Sequence, residues 1–228
     1  FFNMRPVGGS PELFFNICKA MADMIAEYDD ADLLIGVEMA ALTLVGGTSV
    51  ALRLKSLWQR IGYTRPLPKK ARTPKEALEI LKSIKSGVAN YGQKDFVEAR
   101  MRNGDKIAIF DDMATDLGSK IIARLIVLWQ AEQRGISVEC DKVFYLLNRN
   151  RNNREKGVRF ADEPEQGLYP ASLQVDYIIE FDDCFPALKK VMKPEEYKMI
   201  EDFQKDASRF QDSYTQREAL RIADESRR

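Results

Sequence analysis

A chain of 228 residues with 45% hydrophobic content is long enough for one α/β domain with a sizeable core and a small appendage, but short for two full domains. Its 35 Lys and Arg balance its 35 Asp and Glu, so no long-range field favours nucleic acid or an acidic membrane, and any anion site must be local. There is no His, which excludes His triads, His-ligated metals and His general bases.

Cys18, Cys140 and Cys184 are odd in number, far apart and without CxxC spacing, which argues against a disulfide framework or a zinc site. A reducing cytoplasm is expected. No apolar run approaches the ~20 residues that span a bilayer, and Phe1 to Val7 has no signal-peptide pattern. The first residue is Phe, consistent with a start inside a longer natural chain.

In chain order, Ser10-Pro11-Glu12 opens a helix that Leu13, Ile17, Met21, Met24 and Ile25 carry to about Tyr28. Leu33 to Val37 reads as a short buried strand closed by Glu38-Met39-Ala40-Ala41, and Leu42 to Ile61 resumes a largely helical pattern despite Gly46-Gly47. Tyr63-Thr64-Arg65 is strand-like until Pro66 and Pro68 stop it. The basic stretch Lys69, Lys70, Arg72 follows, then a capped helix from Thr73-Pro74-Lys75-Glu76 to about Ser86, and a loop from Gly87 to Gly92. Phe96 to Ala99 is a candidate strand, with Asn103-Gly104 a hairpin-type turn into Lys106 to Phe110, the clearest buried strand. A helix through Ile121, Ile122, Leu125, Ile126 and Trp129 ends at Gly135, and strands follow at Val138 to Leu147 and around Tyr177. Pro194 to Arg228 is charged and helical, a docked helix fraying toward its end. Alternating strands and helices predict an α/β fold: a mostly parallel twisted sheet flanked by helices, with ligands at the carboxyl ends of its strands. The expected organisation is a domain over 1–190, with a helical insertion near 71–90, and a helical extension over 191–228.

Ile107 to Lys120 carries the strongest chemical signal. A buried strand delivers two adjacent carboxylates, Asp111 and Asp112, and a turn rich in Thr, Gly and Ser then opens a helix. Backbone N–H groups at that helix start, with the Thr115 and Ser119 hydroxyls, suit a phosphate monoester. The two acids suit the vicinal hydroxyls of a sugar, directly or through Mg²⁺. Phosphate and diol together describe a ribose 5-phosphate. The bland alternative, an Asp pair that merely caps the next helix, is weakened by the whole order of acids, Ala-Thr and Gly-Ser.

Asp111-Asp112-Met113-Ala114-Thr115, through Asp116 and Leu117 to Gly118-Ser119, resembles the motif by which type I phosphoribosyltransferases bind 5-phosphoribosyl-1-pyrophosphate (PRPP). Phe1-Phe2-Asn3 is similar to the aromatic stretch that packs on orotate near the start of orotate phosphoribosyltransferases. Gly36 to Leu42, with Glu38, Met39 and Ala40, looks like that family's pyrophosphate loop. Tyr63-Thr64-Arg65 with Lys69, and Tyr91-Gly92 with Val97-Glu98, look like the two ends of its mobile basic loop. Arg149 stands where the family places an arginine on orotate, with Thr115 nearby.

The resemblance covers about Phe1 to Arg154. It implies the type I phosphoribosyltransferase fold with a small hood, and a Mg²⁺-dependent pentosyl transfer from PRPP to orotate in de novo pyrimidine synthesis, giving orotidine 5′-monophosphate and pyrophosphate. Arg65, Lys69 and Asp112 would be catalytic, in a cytoplasmic homodimer with no nucleic-acid or membrane partner. Mg²⁺ would be held mainly by PRPP, either alone or through Asp111 and Asp112 as well.

Departures from the family pattern leave two rivals open, a phosphoribosyltransferase for another base and a PRPP-binding regulator without turnover. Pro66 follows the loop arginine where Lys is common, Ala71 stands near a usual His-Gly, and Ala99 replaces a usual Gly. Asp116-Leu117 replaces a usual Thr-Gly in the phosphate turn, where Gly relieves steric conflict.

Overall fold

The computed structural model describes residues 5–28, 31–84, 95–114, 117–149, 173–205 and 212–226. The chain divides into two compact units, Phe1–Glu180 and Phe181–Arg228.

In the first unit a 3₁₀ turn at Arg5–Gly9 leads into α1 (Pro11–Ala26), β1 (Leu33–Gly36), α2 (Ala41–Leu54), β2 (Arg60–Thr64), α3 (Pro74–Ser83), β3 (Val97–Glu98), β4 (Lys106–Ala114), α4 (Gly118–Gln133), β5 (Glu139–Asn148) and β6 (Gln174–Glu180). The six strands form one sheet in the order β3-β2-β1-β4-β5-β6. All neighbours are parallel except the edge strand β3, which runs antiparallel to β2.

Both faces of the sheet are covered, which is why β1 and β4 read as unbroken apolar runs. Leu33, Ile35, Ile107 and Ile109 join a cluster with α3 and α4 on one face. The alternate residues Leu34, Ala108 and Phe110 join α1 and α2 on the other. α1 lies close on α2 because of Gly47, where a Cβ would stand 2.4 Å from Cys18 Sγ and 2.9 Å from the Phe14 ring.

Three expectations are corrected. The helix expected from Leu42 to Ile61 ends at Leu54, and Arg60 and Ile61 already belong to β2. Asn103-Gly104 does make a turn, with Gly104 at φ +84°, but it closes no hairpin. β3 pairs instead with β2, Tyr63 opposite Glu98, where the missing Cβ of Gly62 leaves room for Ala99 and the Glu98 carbonyl. The expected inserted helix is present but ends at Ser83 rather than Ser86, and buried Ala77 and Leu81 tie it to the core.

The second unit comprises a 3₁₀ turn at Phe181–Cys184, α5 (Phe185–Val191), α6 (Pro194–Lys205) and α7 (Ser213–Ser226). Phe185 bridges Phe181 and Tyr197 through edge-on ring contacts of 5.4 and 5.7 Å. All three cysteines are free thiols, and among the described residues no helix is long and apolar enough to cross a membrane.

Candidate active site

From β1 the chain winds outward to β2 and β3; from β4 it winds the opposite way, to β5 and β6. The strand order therefore reverses between β1 and β4, and such a switch point leaves a crevice at the carboxyl ends of the two strands. Four of the segments singled out in the sequence end there or beside it: 37–40 after β1, 111–114 in β4, 117–120 opening α4, and Arg149 after β5.

β4 is longer than the sequence suggested. Asp111 to Ala114 belong to the strand, with Asp111 opposite Tyr145, Met113 opposite Leu147 and Ala114 opposite Asn148 on β5. Consecutive strand side chains point to opposite faces, so the two acids diverge. Asp111 and Asp112 are only 6% and 7% exposed. Asp111 accepts a hydrogen bond of 2.9 Å from the Asp112 N–H and one of 2.7 Å from the Lys120 ammonium. Burial, reinforced by the negative charge of Asp111 and opposed by Lys120, pushes the Asp112 carboxyl up to about 6.

α4 begins at Gly118 without a side-chain cap. Leu117, where a phosphate turn normally has Gly, turns into the core and is 4% exposed, while Ser119 faces solvent. Thr115 and Asp116 lie outside the described residues, as do Phe1, Phe2, Tyr91 and Gly92.

After β1, the Val37 N–H donates to the Phe110 carbonyl at 2.9 Å, so this loop leaves the sheet directly beside the acid pair. Met39 is exposed, Ala40 half-buried, and the Glu38–Met39 peptide is cis. Glu38 Oε2 is buried without a hydrogen-bond partner among the described residues. An unpaired carboxylate oxygen there is at odds with a cradle built only for anions and favours a cation.

Arg149 is brought to the same edge. Its N–H donates to the Ala114 carbonyl at 2.7 Å, and Nη1 lies 3.9 Å from Met113 Sδ. Burial depresses the pKa of its half-buried guanidinium, which favours an anionic partner. Asn148, fully buried, donates to Glu180 at 3.1 Å and lies 3.4 Å from the Tyr145 hydroxyl, which anchors the strand end that carries Arg149.

The basic loop is less assembled. Arg65 pairs with Glu98 across the β2–β3 ladder, and the Tyr63 hydroxyl donates to the same carboxylate. Lys69, Lys70 and Arg72 are exposed. Sequence reasoning missed Lys120 altogether. Its signal was a local conflict, a cation in the first turn of a helix, where the macrodipole disfavours positive charge.

No protein-family model matches the sequence, and no curated protein is similar to it in sequence. Solved structures reveal the fold instead. A structure of Leishmania donovani UMP synthase matches with a TM-score of 0.57 at 14% identity, covering 90% of this chain and 35% of that one. The chain thus spans about a third of that protein's length. Orotate phosphoribosyltransferase of Francisella tularensis gives a TM-score of 0.48 at 13% identity, over 90% of this chain and 81% of that chain. Adenine phosphoribosyltransferase of Leishmania tarentolae gives 0.46 at 14%, over 80% and 77%. The latter two scores are too low to bear on function. At such identities the likeness establishes the fold, the α/β fold of type I phosphoribosyltransferases, and not the base.

Proposed function

We propose that this chain transfers the phosphoribosyl group of PRPP to orotate. The observation that carries the reading is the convergence of Asp112, the start of α4 and Arg149 on one carboxyl edge at the switch point of the sheet. These supply an acid for the ribose hydroxyls, backbone N–H groups for the 5-phosphate, and a cation for the carboxylate of the base.

In the reaction, the bond from the anomeric carbon to the pyrophosphate oxygen breaks and a ring nitrogen of orotate bonds to that carbon, its proton passing to solvent. The electron pair of the broken bond leaves with pyrophosphate. The sugar is cation-like at the transition state, so the protein's work is positioning and charge stabilisation, and no nucleophilic side chain is needed. Arg65 and Lys69 are the cations proposed for the departing pyrophosphate, which requires Arg65 to exchange Glu98 for substrate. Phe1, Phe2 and Thr115 keep their proposed contacts with orotate.

The unpaired oxygen of Glu38 fits a hard cation such as Mg²⁺. Among the described residues no three acidic or thiol groups cluster as a metal site, so most ligands would come from PRPP and water. Mg²⁺ there would neutralise pyrophosphate charge.

The test is the loss of orotate absorbance when protein, PRPP and Mg²⁺ are mixed. Turnover that vanishes in Asp112→Asn is the expected result; turnover with adenine and none with orotate would reassign the base. A second reading, a PRPP-binding regulator of the same fold, is favoured by the engagement of Arg65 with Glu98. It would be established by PRPP binding with no turnover of any base. A homodimer in the cytoplasm completes the proposal, supported by the exposed apolar side chains of Val50, Leu54 and Trp58.

A further inference from the structure

Lys120 is 3% exposed, deeply buried for an ammonium, and sits where the α4 dipole opposes its charge. Its surroundings account for both facts. Nζ donates to Asp111 Oδ2 at 2.7 Å, to Ser119 Oγ at 3.2 Å, and to the Met113 carbonyl. An ammonium has three protons, and all three are used. Each oxygen of Asp111 also has a donor, one accepting from Lys120 and the other from the Asp112 N–H, and the ammonium balances its charge.

The pleat supports the same division. Ile107 and Ile109 face the α3–α4 cluster, and Asp111 continues that row toward Lys120 on α4. Asp112 continues the row of Ala108 and Phe110 on the opposite face.

We propose that Lys120 is a positioning residue that divides the acid pair: it neutralises Asp111 and ties it across the β4–α4 turn, leaving Asp112 as the only acid of the pair that meets ribose hydroxyls. This rests on the phosphoribosyl reading. Removal of the ammonium alone uncovers a buried carboxylate beside the turn assigned to the 5-phosphate, which both destabilises the fold and repels the ligand. Removal of both charges leaves an apolar contact and relieves both effects.

The experiment compares wild type, Asp112→Asn, Asp111→Leu, Lys120→Met and the double variant Asp111→Leu/Lys120→Met. Melting temperatures come from circular dichroism, and PRPP affinities from calorimetry with Mg²⁺ at a temperature where each protein is folded. Lys120→Met is expected to melt roughly 10 °C lower and to bind PRPP at least about tenfold more weakly. The double variant is expected to regain most of the melting temperature and to bind within about threefold of wild type, since double-variant coupling cancels the single losses. Asp112→Asn is expected to melt no lower than wild type and to lose at least about tenfold in affinity.

A folded double variant that binds as poorly as Asp112→Asn would place Asp111 on the ligand and overturn the proposal. Melting losses of the two single variants that add instead of cancelling would overturn it as well. Failure of wild type to bind PRPP at all, with the melting cycle still coupled, would instead sink the phosphoribosyl reading and leave the Lys120–Asp111 neutralisation standing.

Discussion

Asp112 combines two properties that pull against each other, a place at the crevice and burial to 7% exposure. Burial pushes its carboxyl to about 6, well above the ordinary 3.8. Between those values the folded chain binds more protons than the unfolded one, so stability falls as pH rises from about 4 to about 6 and is level beyond. Asp112→Asn removes this linkage. The ligand-free variant is therefore expected to match wild type in stability near pH 4 and to exceed it by on the order of 2 kcal/mol at pH 7, checked by urea unfolding at both values. Equal stability at the two pH values would mean that the carboxyl is solvated. At this scale the acid pair was legible, because two adjacent acids after an apolar run are conspicuous. The partner of Asp111 was not, because Lys120 meets it only when the strand runs to Ala114 and the helix then turns back.

The elements themselves were read from periodicity where one pattern dominated, as in α1, β1, β4 and α4. Pairing was less legible. β3 has two residues, and its choice of β2 over β4 follows from the space beside Gly62 and the Arg65–Glu98 contact rather than from any local pattern. The two glycines of α2 make the same point with opposite expected signs. Nothing lies within 4 Å of a Cβ added to Gly46, so Gly46→Ala keeps only the gain in helix propensity, up to about 1 kcal/mol. A Cβ on Gly47 meets Cys18 and Phe14, so Gly47→Ala must move α1 or displace those side chains, at a cost of about 1–3 kcal/mol. Thermal melting of both variants checks the contrast, and a stabilising Gly47→Ala would show that α1 is not held close there.

At the scale of the whole molecule, the question is what covers the outer surface of α2. Val50 and Leu54 lie one turn apart on that helix and are 67% and 74% exposed, and Trp58, just beyond it, is 71% exposed with the Arg53 guanidinium over its ring. Single exposed apolar groups need no explanation, but several on one helix and the segment after it are the kind of surface that the proposed dimer would use. A second copy of the chain is the proposed occupant, because the family that the sequence resembles has a basic loop that reaches into the partner subunit's site. A twofold contact would set this surface against itself, so a charge introduced there appears on both sides at once. Wild type is expected to scatter light as a dimer and Val50→Asp/Leu54→Asp as a monomer with an unchanged circular dichroism spectrum, since neither side chain belongs to the buried core. If Lys69 acts across the dimer, a mixture of inactive Lys69→Ala and inactive Asp112→Asn chains recovers turnover, because one site in the hybrid keeps both groups. A mixture as inactive as its components would confine the loop to its own subunit, and a wild type that is monomeric at every concentration would leave Val50 and Leu54 to a different partner.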